Sequence, residues 1–364
     1  MDFSFTDEQQ AAGELAAQIL DDRVTHESLR VLERLDAPRF DRDTWAAVAE
    51  AGLLGIAVPE SAGGAGLGLV ELARILEVVG RTAAALPIWE TVGLGALPIA
   101  EFGSADVQAT WLPRVVDGSA VLTAAWHEDD GDLDLIRTTA TTSGDRVLVT
   151  GRKICVPSAQ LANAFVVPAL VDGTPGLVLV EPGLGVTVES IVTTGGAPDG
   201  GLILDEAPGV VISVGAESIT WARQRAVATQ CALSLGNVEK MVDLTAAYTK
   251  ERKQFDVPIA MFQAVGHRAA DCYIDAEAIR LTTWQAVTRL AEGLEASDEV
   301  AVAKFWSAWG GQRISLASAH LHGGVGVDRD SPLARHFTRA KELELQLGGA
   351  TQSLLVVGRA LAAG

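Results

Sequence analysis

The apolar residues of this 364-residue chain change their repeat twice, and no single motif constrains the fold as much. Before residue 119 they recur at helical spacing, most clearly at Leu72, Ile75, Leu76 and Val79. Between 119 and 214 they form short β-branched stretches bounded by Gly, Pro or Asp. After Val214 the helical repeat returns and persists. Side chains repeat every ~3.6 residues on a helix and every ~2 on a strand, so one pattern cannot serve the other element. The order predicts an α+β multidomain chain: an N-terminal helical domain over 1–118, a middle β-barrel or sandwich over 119–214, and a C-terminal four-helix bundle over 215–364.

Local signals fill in the elements. Thr6-Asp7-Glu8-Gln9 reads as a capping box, with Leu15, Ile19 and Leu20 on one helical face behind it. Asp43 or Thr44 is expected to cap a helix carrying Trp45, Val48 and Ala49, which stops by Gly52-Leu-Leu-Gly55 and Pro59. A loop at Ser61-Ala-Gly63-Gly64-Ala-Gly66 precedes the Leu72 helix, and two more helices are expected near 88–101 and 104–116. The β stretches are Val121 to Trp126, Arg146 to Thr150, Ile154 to Val156, Ala164 to Val167, Gly176 to Val180, Gly185 to Val188 and Gly201 to Leu204. Ser143-Gly144-Asp145 and Asp172-Gly173 read as hairpin turns. Helices are then predicted over 217–249, 259–292, 296–321 and 331–361.

Composition excludes several classes. A net charge of −19 opposes a nucleic-acid partner and an anionic membrane surface. An anionic ligand would need a local cluster of arginines and helix N-termini. Cys155, Cys231 and Cys272 are odd in number and far apart, with no metal-ligand spacing, which predicts a reducing compartment. The acidic N-terminus lacks the pattern of a signal peptide, and no apolar run is long enough to span a membrane. A cytoplasmic location is expected.

Three stretches carry candidate chemistry. Tyr248-Thr-Lys250-Glu251-Arg252-Lys253-Gln254-Phe255 ends the first bundle helix. Its cations complement a helix C-terminus, or Arg252 grips a phosphate while Phe255 forms an apolar wall. His322-Gly323-Gly324-Val325-Gly326 is a helix C-cap or an anion-facing glycine turn; it follows a helix, so it is not a dinucleotide fingerprint. Phe262-Gln263-Ala-Val-Gly-His267-Arg268 opens the second bundle helix and taken alone faces either ligand or water.

Together these pieces resemble the acyl-CoA dehydrogenase family along nearly the whole chain. The matching stretches are Gly52-Leu-Leu-Gly-Ile-Ala-Val-Pro59-Glu60 with Gly63-Gly64-Ala-Gly66, Tyr248 to Phe255, Phe262-Gln263-Ala-Val, and His322-Gly323-Gly324-Val-Gly326. The resemblance implies that FAD lies between the β domain and the bundle. The cofactor's pyrophosphate and adenosine end is then held by the neighbouring subunit's counterparts of Arg252, Phe255, Gln263 and the His322-Gly323-Gly324 turn. It also implies α,β-desaturation of an acyl thioester, in which a carboxylate removes the α-proton and the β-hydrogen leaves as hydride.

The chain departs from this pattern selectively. The two family locations of the glutamate base fall on Leu347 and Ala226. The Thr-Glu-Pro-x-Ala-Gly-Ser-Asp flavin segment corresponds to His127-Glu128-Asp129-Asp130-Gly131-Asp132, an acidic run expected to repel a phosphate. The Trp-Ile-Thr-Asn-Gly segment that packs on the flavin ring corresponds to Cys155-Val156-Pro157-Ser158-Ala159, in which Pro157 offers no N–H. Residues offered to a partner's cofactor are kept, and those serving the chain's own pocket are lost. The pattern resembles the non-catalytic subunit of actinobacterial α2β2 acyl-CoA dehydrogenases of steroid side-chain degradation. It implies a paralogous partner carrying the glutamate, a shared FAD and an acyl-CoA substrate. The alternatives are a self-sufficient enzyme with Glu344 or Glu217 as a displaced base, and a binding member of the family without redox work. Glu342 and Glu344 are otherwise expected on a solvated face.

Overall fold

The structure, a computed structural model, describes residues 4–34, 36–129, 131, 133–144 and 146–363. In chain order come helices α1 (Asp7–Arg23), α2 (His26–Glu33), α3 (Arg42–Glu50) and α4 (Leu69–Thr82). A π-helical segment, Trp89–Ala96, leads into α5 (Leu97–Phe102), and α6 (Ala105–Val116) follows. The strands are β1 (Leu122–Ala124), β2 (Thr139–Ser143), β3 (Arg146–Val156), β4 (Ala164–Val171), β5 (Thr174–Val180), β6 (Val186–Ser190) and β7 (Gly200–Val214). Then come α7 (Ala216–Glu251), a small hairpin of β8 (Lys253–Gln254) and β9 (Val257–Pro258), α8 (Gln263–Ala291), α9 (Ser297–His322), α10 (Pro332–Leu345) and α11 (Ala350–Ala363). The expected order of helical domain, β domain and helical bundle is therefore present. No described helix is long and apolar enough to cross a membrane.

By packing, the chain divides into two compact units. The first comprises Met1–His26, Ala73–Ala84 and Val227–Gly364, and the second Glu27–Leu72 and Ala85–Ala226.

Within the second unit the strand ladder closes on itself. β4 pairs with β2, β2 with β3, β3 with β7, β7 with β5, and β5 returns to β4. β1 extends the row of β2 along β4, and β6 lies along the first part of β7. Of the two predicted forms, the closed ladder is the barrel. Val149, Phe165, Val167, Val178, Val180 and Leu202 fill it, alternate residues of each strand pointing inward.

Several local expectations change. The capping box on α1 forms as predicted, Thr6 Oγ1 accepting from Gln9 N and Gln9 Oε1 from Thr6 N. Its buried face, however, is Ala12, Gly13, Ala16 and Leu20, and Leu15 is exposed. The Arg74 guanidinium occupies the space beside it, 3.2 Å from where a Cβ on Gly13 would lie. The cap of α3 is Asp41 rather than Asp43 or Thr44; its carboxylate accepts from both Thr44 N and Thr44 Oγ1. The helix expected near 88–101 is π-helical in its first half. Two predicted stretches merge into β3, and β2, a threonine-rich strand with little apolar signal, was not expected at all. β7 runs far past Leu204, its alternation interrupted at Glu206, which sits at φ 50. The Asp172-Gly173 hairpin joins β4 to β5, and Ser143-Gly144 precedes the β3 side of the other; Asp145 lies outside the described residues. The predicted helix 331–361 is broken into α10 and α11, because Leu347 (φ 55) and Gly348 (φ 97) are left-handed in succession.

In the first unit, α8 and α9 run antiparallel, with Arg313 Nε 3.0 Å from Asp275 Oδ2 and Arg289 Nε 3.1 Å from Glu299 Oε1. α7 meets α4 backbone to backbone. A Cβ on Gly236 would lie 1.7 Å from Glu77 O, and one on Gly80 1.9 Å from Leu233 O. Beside this crossing, Glu239 pairs with Arg280 at 2.6 Å, and Arg280 also reaches Glu277. Burial, helped by Glu77, Asp243 and Glu277, pushes the Glu239 carboxyl up to about 7, although Arg280 opposes the shift.

Gly236→Ala is expected to destabilise the fold by about 3 kcal/mol in thermal or urea unfolding, since rigid backbone must move. A raised carboxyl favours the folded state at low pH and loses that contribution as pH climbs through its folded value. Glu239→Gln should therefore gain on the native chain between about pH 5 and pH 7 and level off above, by at most about 3 kcal/mol. A pH series of unfolding curves measures the difference.

Candidate functional site

The residues expected to meet a partner's cofactor lie in the first unit, at the end of α7, the start of α8 and the end of α9. The Tyr248 ring stacks on His322, centroids 4.4 Å apart at 21°. His322 is buried, and its Nδ1 donates to Ser318 O at 2.8 Å. Its imidazole is thus a support beneath the glycine turn. One helical turn after Tyr248, the Arg252 N–H donates to Tyr248 O, and the Arg252 side chain is exposed. Among the described residues no carboxylate lies within ion-pair distance of it.

The β8–β9 hairpin turns on Phe255 (φ 51) and Asp256 (φ 64), both left-handed. Such a turn normally takes glycine or asparagine, and a bulky residue there costs about 1–2 kcal/mol. The Phe255 ring is 89% exposed and touches only the edge of Phe262, 6.3 Å away. Burial within the chain therefore does not repay the strain. Gln263, likewise exposed, opens α8, whose cap residue Phe262 supplies no side-chain bond. Gly323 needs its glycine for φ 61, whereas a Cβ on Gly324 would meet nothing. Gly324 leaves bare backbone facing outward. Arg252, Phe255, Gln263, Gly323 and Gly324 are all exposed, so they form a surface that can be offered outward. They suit the anionic diphosphate end of a dinucleotide.

The two positions at which a base is expected are different. Leu347 is buried in the break between α10 and α11. That break is held from below by Lys304, whose ammonium donates to Gln230 Oε1 at 2.8 Å and to Leu343 O at 2.7 Å. Gln230 in turn donates to Gln346 O at 3.3 Å. Burial brings the Lys304 amine down to about 8, with Cys231 and Glu344 pulling the other way. Ala226 is buried on α7, and its carbonyl accepts from Trp89 Nε1 at 3.1 Å. Glu344 is tied to Lys341, and Glu342 to Arg339, each side chain at most 16% exposed. Neither is the solvated face expected of it. Glu217 lies exposed at the start of α7.

At the barrel edge, one member of the expected repulsive run is neutralised within the chain. Glu128 turns inward to the buried Lys153, 2.6 Å from Nζ, and accepts from Arg137 N, Thr138 N and Thr138 Oγ1. Lys153 also donates to Pro168 O. Burial raises the Glu128 carboxyl, but Lys153 and Thr138 outweigh it and hold it low. Asp130 and Asp132 lie outside the described residues. The Cys155 to Ala159 segment is twice left-handed, at Cys155 (φ 49) and Ser158 (φ 50). Its backbone is taken up internally: Ser158 N donates to Asp199 Oδ1 and Thr123 Oγ1 to Pro157 O. That edge does not fit a flavin ring, having neither an aromatic plane nor an N–H at Pro157. No group of three metal-ligating side chains occurs among the described residues.

Sequence reasoning reached the exposed residues through their motifs. It missed Lys304, Gln230 and the Tyr248–His322 stack. A lysine inside the apolar run Ala301-Val-Ala-Lys304-Phe-Trp was the available signal for the first.

The order of helical domain, closed β-barrel and helical bundle is that of the FAD-dependent acyl-CoA dehydrogenase fold. The chain belongs to the acyl-CoA dehydrogenase family: it matches "Acyl-CoA dehydrogenase, N-terminal domain" over residues 6–119 and "Acyl-CoA dehydrogenase, C-terminal domain" over 214–361. It is 40% identical to acyl-CoA dehydrogenase FadE27 of Mycobacterium tuberculosis, covering 100% of this chain and 99% of that one. The ChsE4-ChsE5 complex from Mycobacterium tuberculosis contains a chain 39% identical, with TM-score 0.95 and full coverage of both. A Tcur3481-Tcur3483 steroid ACAD contains one 41% identical, with TM-score 0.93 and 98% coverage of each.

Because the Phe255 ring contributes little to its own chain, Phe255→Gly should leave stability unchanged or raise it by up to about 1 kcal/mol. The released strain is partly offset by a more flexible unfolded state. Unfolding of the isolated chain measures this.

Proposed function

We propose that this chain is the non-catalytic subunit of a hetero-oligomeric, FAD-dependent acyl-CoA dehydrogenase located in the cytoplasm. Its partner is a paralogous subunit that brings the glutamate base and the ring-binding barrel. The observation that carries the reading is a contrast: Arg252, Phe255, Gln263, Gly323 and Gly324 are intact and exposed, while Leu347 and Ala226 occupy the base locations. The substrate is an acyl-CoA, and the likeness to a steroid ACAD supports a steroid side-chain thioester.

When bound, FAD supplies the hydride acceptor for α,β-desaturation. The role of this chain is binding and orientation. Arg252 would neutralise the diphosphate, and the bare backbone at Gly323-Gly324 would face the same anion. Phe255 would give the cofactor an apolar wall. Leu347 can take no proton, so deprotonation at the α-carbon falls to the partner. Glu344 as a displaced base is disfavoured by its pairing with Lys341. The net charge of −19 leaves a nucleic-acid role without support.

The chain purified alone should be colourless and inactive, and co-expression with its partner should give a yellow, active complex. Within the complex, Arg252→Gln should weaken flavin retention at least about tenfold, the scale of a charge-assisted bond. Absorbance after gel filtration reads both. A stoichiometric flavin spectrum from the lone chain sinks the reading.

A further inference from the structure

A second cation stands beside this surface and is not among the residues the family pattern supplies. Arg268, in the second turn of α8, is exposed, and its Nη1 lies 3.0 Å from His320 Nδ1 near the end of α9. A guanidinium only donates, so Nδ1 is the acceptor and the contact itself brings no negative charge to the arginine. Among the described residues no carboxylate lies within ion-pair distance of it. The same α8–α9 seam does neutralise its next cation, Arg313, through Asp275 at 3.0 Å. The contrast matters in a chain holding 47 acidic residues against 28 lysines and arginines. An exposed arginine fixed by a neutral partner in so acidic a chain is arranged for an anion from outside.

Its position gives the anion. His320 precedes the Gly323 turn by three residues, and His322 between them is stacked on Tyr248, one turn before Arg252. The ring stack thus joins the helix ends that carry Arg252 and the glycine turn, and the His320 contact joins Arg268 to the second of them. Gln263 and Arg268 both lie in the opening turns of α8, where the helix dipole also favours negative charge. We propose that Arg268, steered by His320, is a second cation of the outward-facing anion site and contacts the diphosphate of the dinucleotide held by the neighbouring chain. The inference rests on the shared-cofactor reading above. In that reading Arg252 is the principal grip, and Arg268 adds a charge whose direction His320 sets.

The test is FAD dissociation from the co-expressed complex, followed by flavin fluorescence on dilution at low and high KCl. Arg268→Gln should raise the FAD Kd about tenfold at low salt and by only about threefold or less near 0.5 M KCl, because the lost contribution is screened. His320→Ala should raise it severalfold, whereas His320→Gln, which keeps an acceptor for the guanidinium, should stay within about twofold of the native complex. The lone chain titrated with inorganic pyrophosphate gives a second reading, in which Arg268→Gln should weaken binding. An Arg268→Gln Kd within twofold of native at both salts, beside an Arg252→Gln complex that loses flavin, overturns the role of Arg268 and leaves the shared-site reading standing. A lowered Tm with unchanged Kd assigns Arg268 to helix packing and overturns it too. A native complex without flavin instead defeats the shared-site reading itself.

Discussion

The bundle is organised around one buried ammonium. Lys304 on α9 donates to Gln230 on α7 and to Leu343 O at the end of α10, and Gln230 passes the tie on to Gln346. A charge taken out of water is strongly unfavourable unless its donors are met, and removing a partner from such a buried arrangement typically costs about 3–5 kcal/mol. Three helices are therefore held at fixed distances around that nitrogen. The carbonyl it satisfies is one that α10, ending at Leu345, would otherwise leave open. This is why the helix can stop where Leu347 and Gly348 turn left-handed, and why the following residues begin α11 in a defined direction.

The same break sets a complete scaffold beside an apolar side chain. The scaffold that holds position 347 is complete down to its buried cation, yet the side chain there is apolar. The outward surface shows the opposite balance. Phe255 is strained and exposed, Gly324 is bare without a packing need, and among the described residues Arg252 has no carboxylate within ion-pair distance, so its own chain makes little use of this surface. Strain of this sort persists where something beyond the local packing uses it. At the barrel edge the economy is again internal: Glu128 and Lys153 satisfy each other, and Asp199 takes the Ser158 N–H. One surface of the chain is turned outward, and one edge is closed inward.

Much of this was legible before any coordinates. The shift of apolar repeat near 119 and 214 determined the helix–β–helix order, because periodicity follows from local geometry alone. The Thr6–Gln9 cap and the Asp172-Gly173 turn were readable for the same reason, each depending on its own few residues, and the motifs around Arg252, Phe255, Gln263 and the glycine pair stand out in the same local way. Even the break after α10 was written in Leu347-Gly348-Gly349, although the helical repeat on both sides concealed it. What only the tertiary structure decided depends on partners far away in sequence. Whether Glu128 repels a phosphate or neutralises a lysine depends on Lys153 across the barrel. Whether Lys304 meets water depends on Gln230 and Leu343, and whether His322 faces a ligand depends on Tyr248. Burial and pairing are properties of neighbours brought together by folding, and no local pattern carries them.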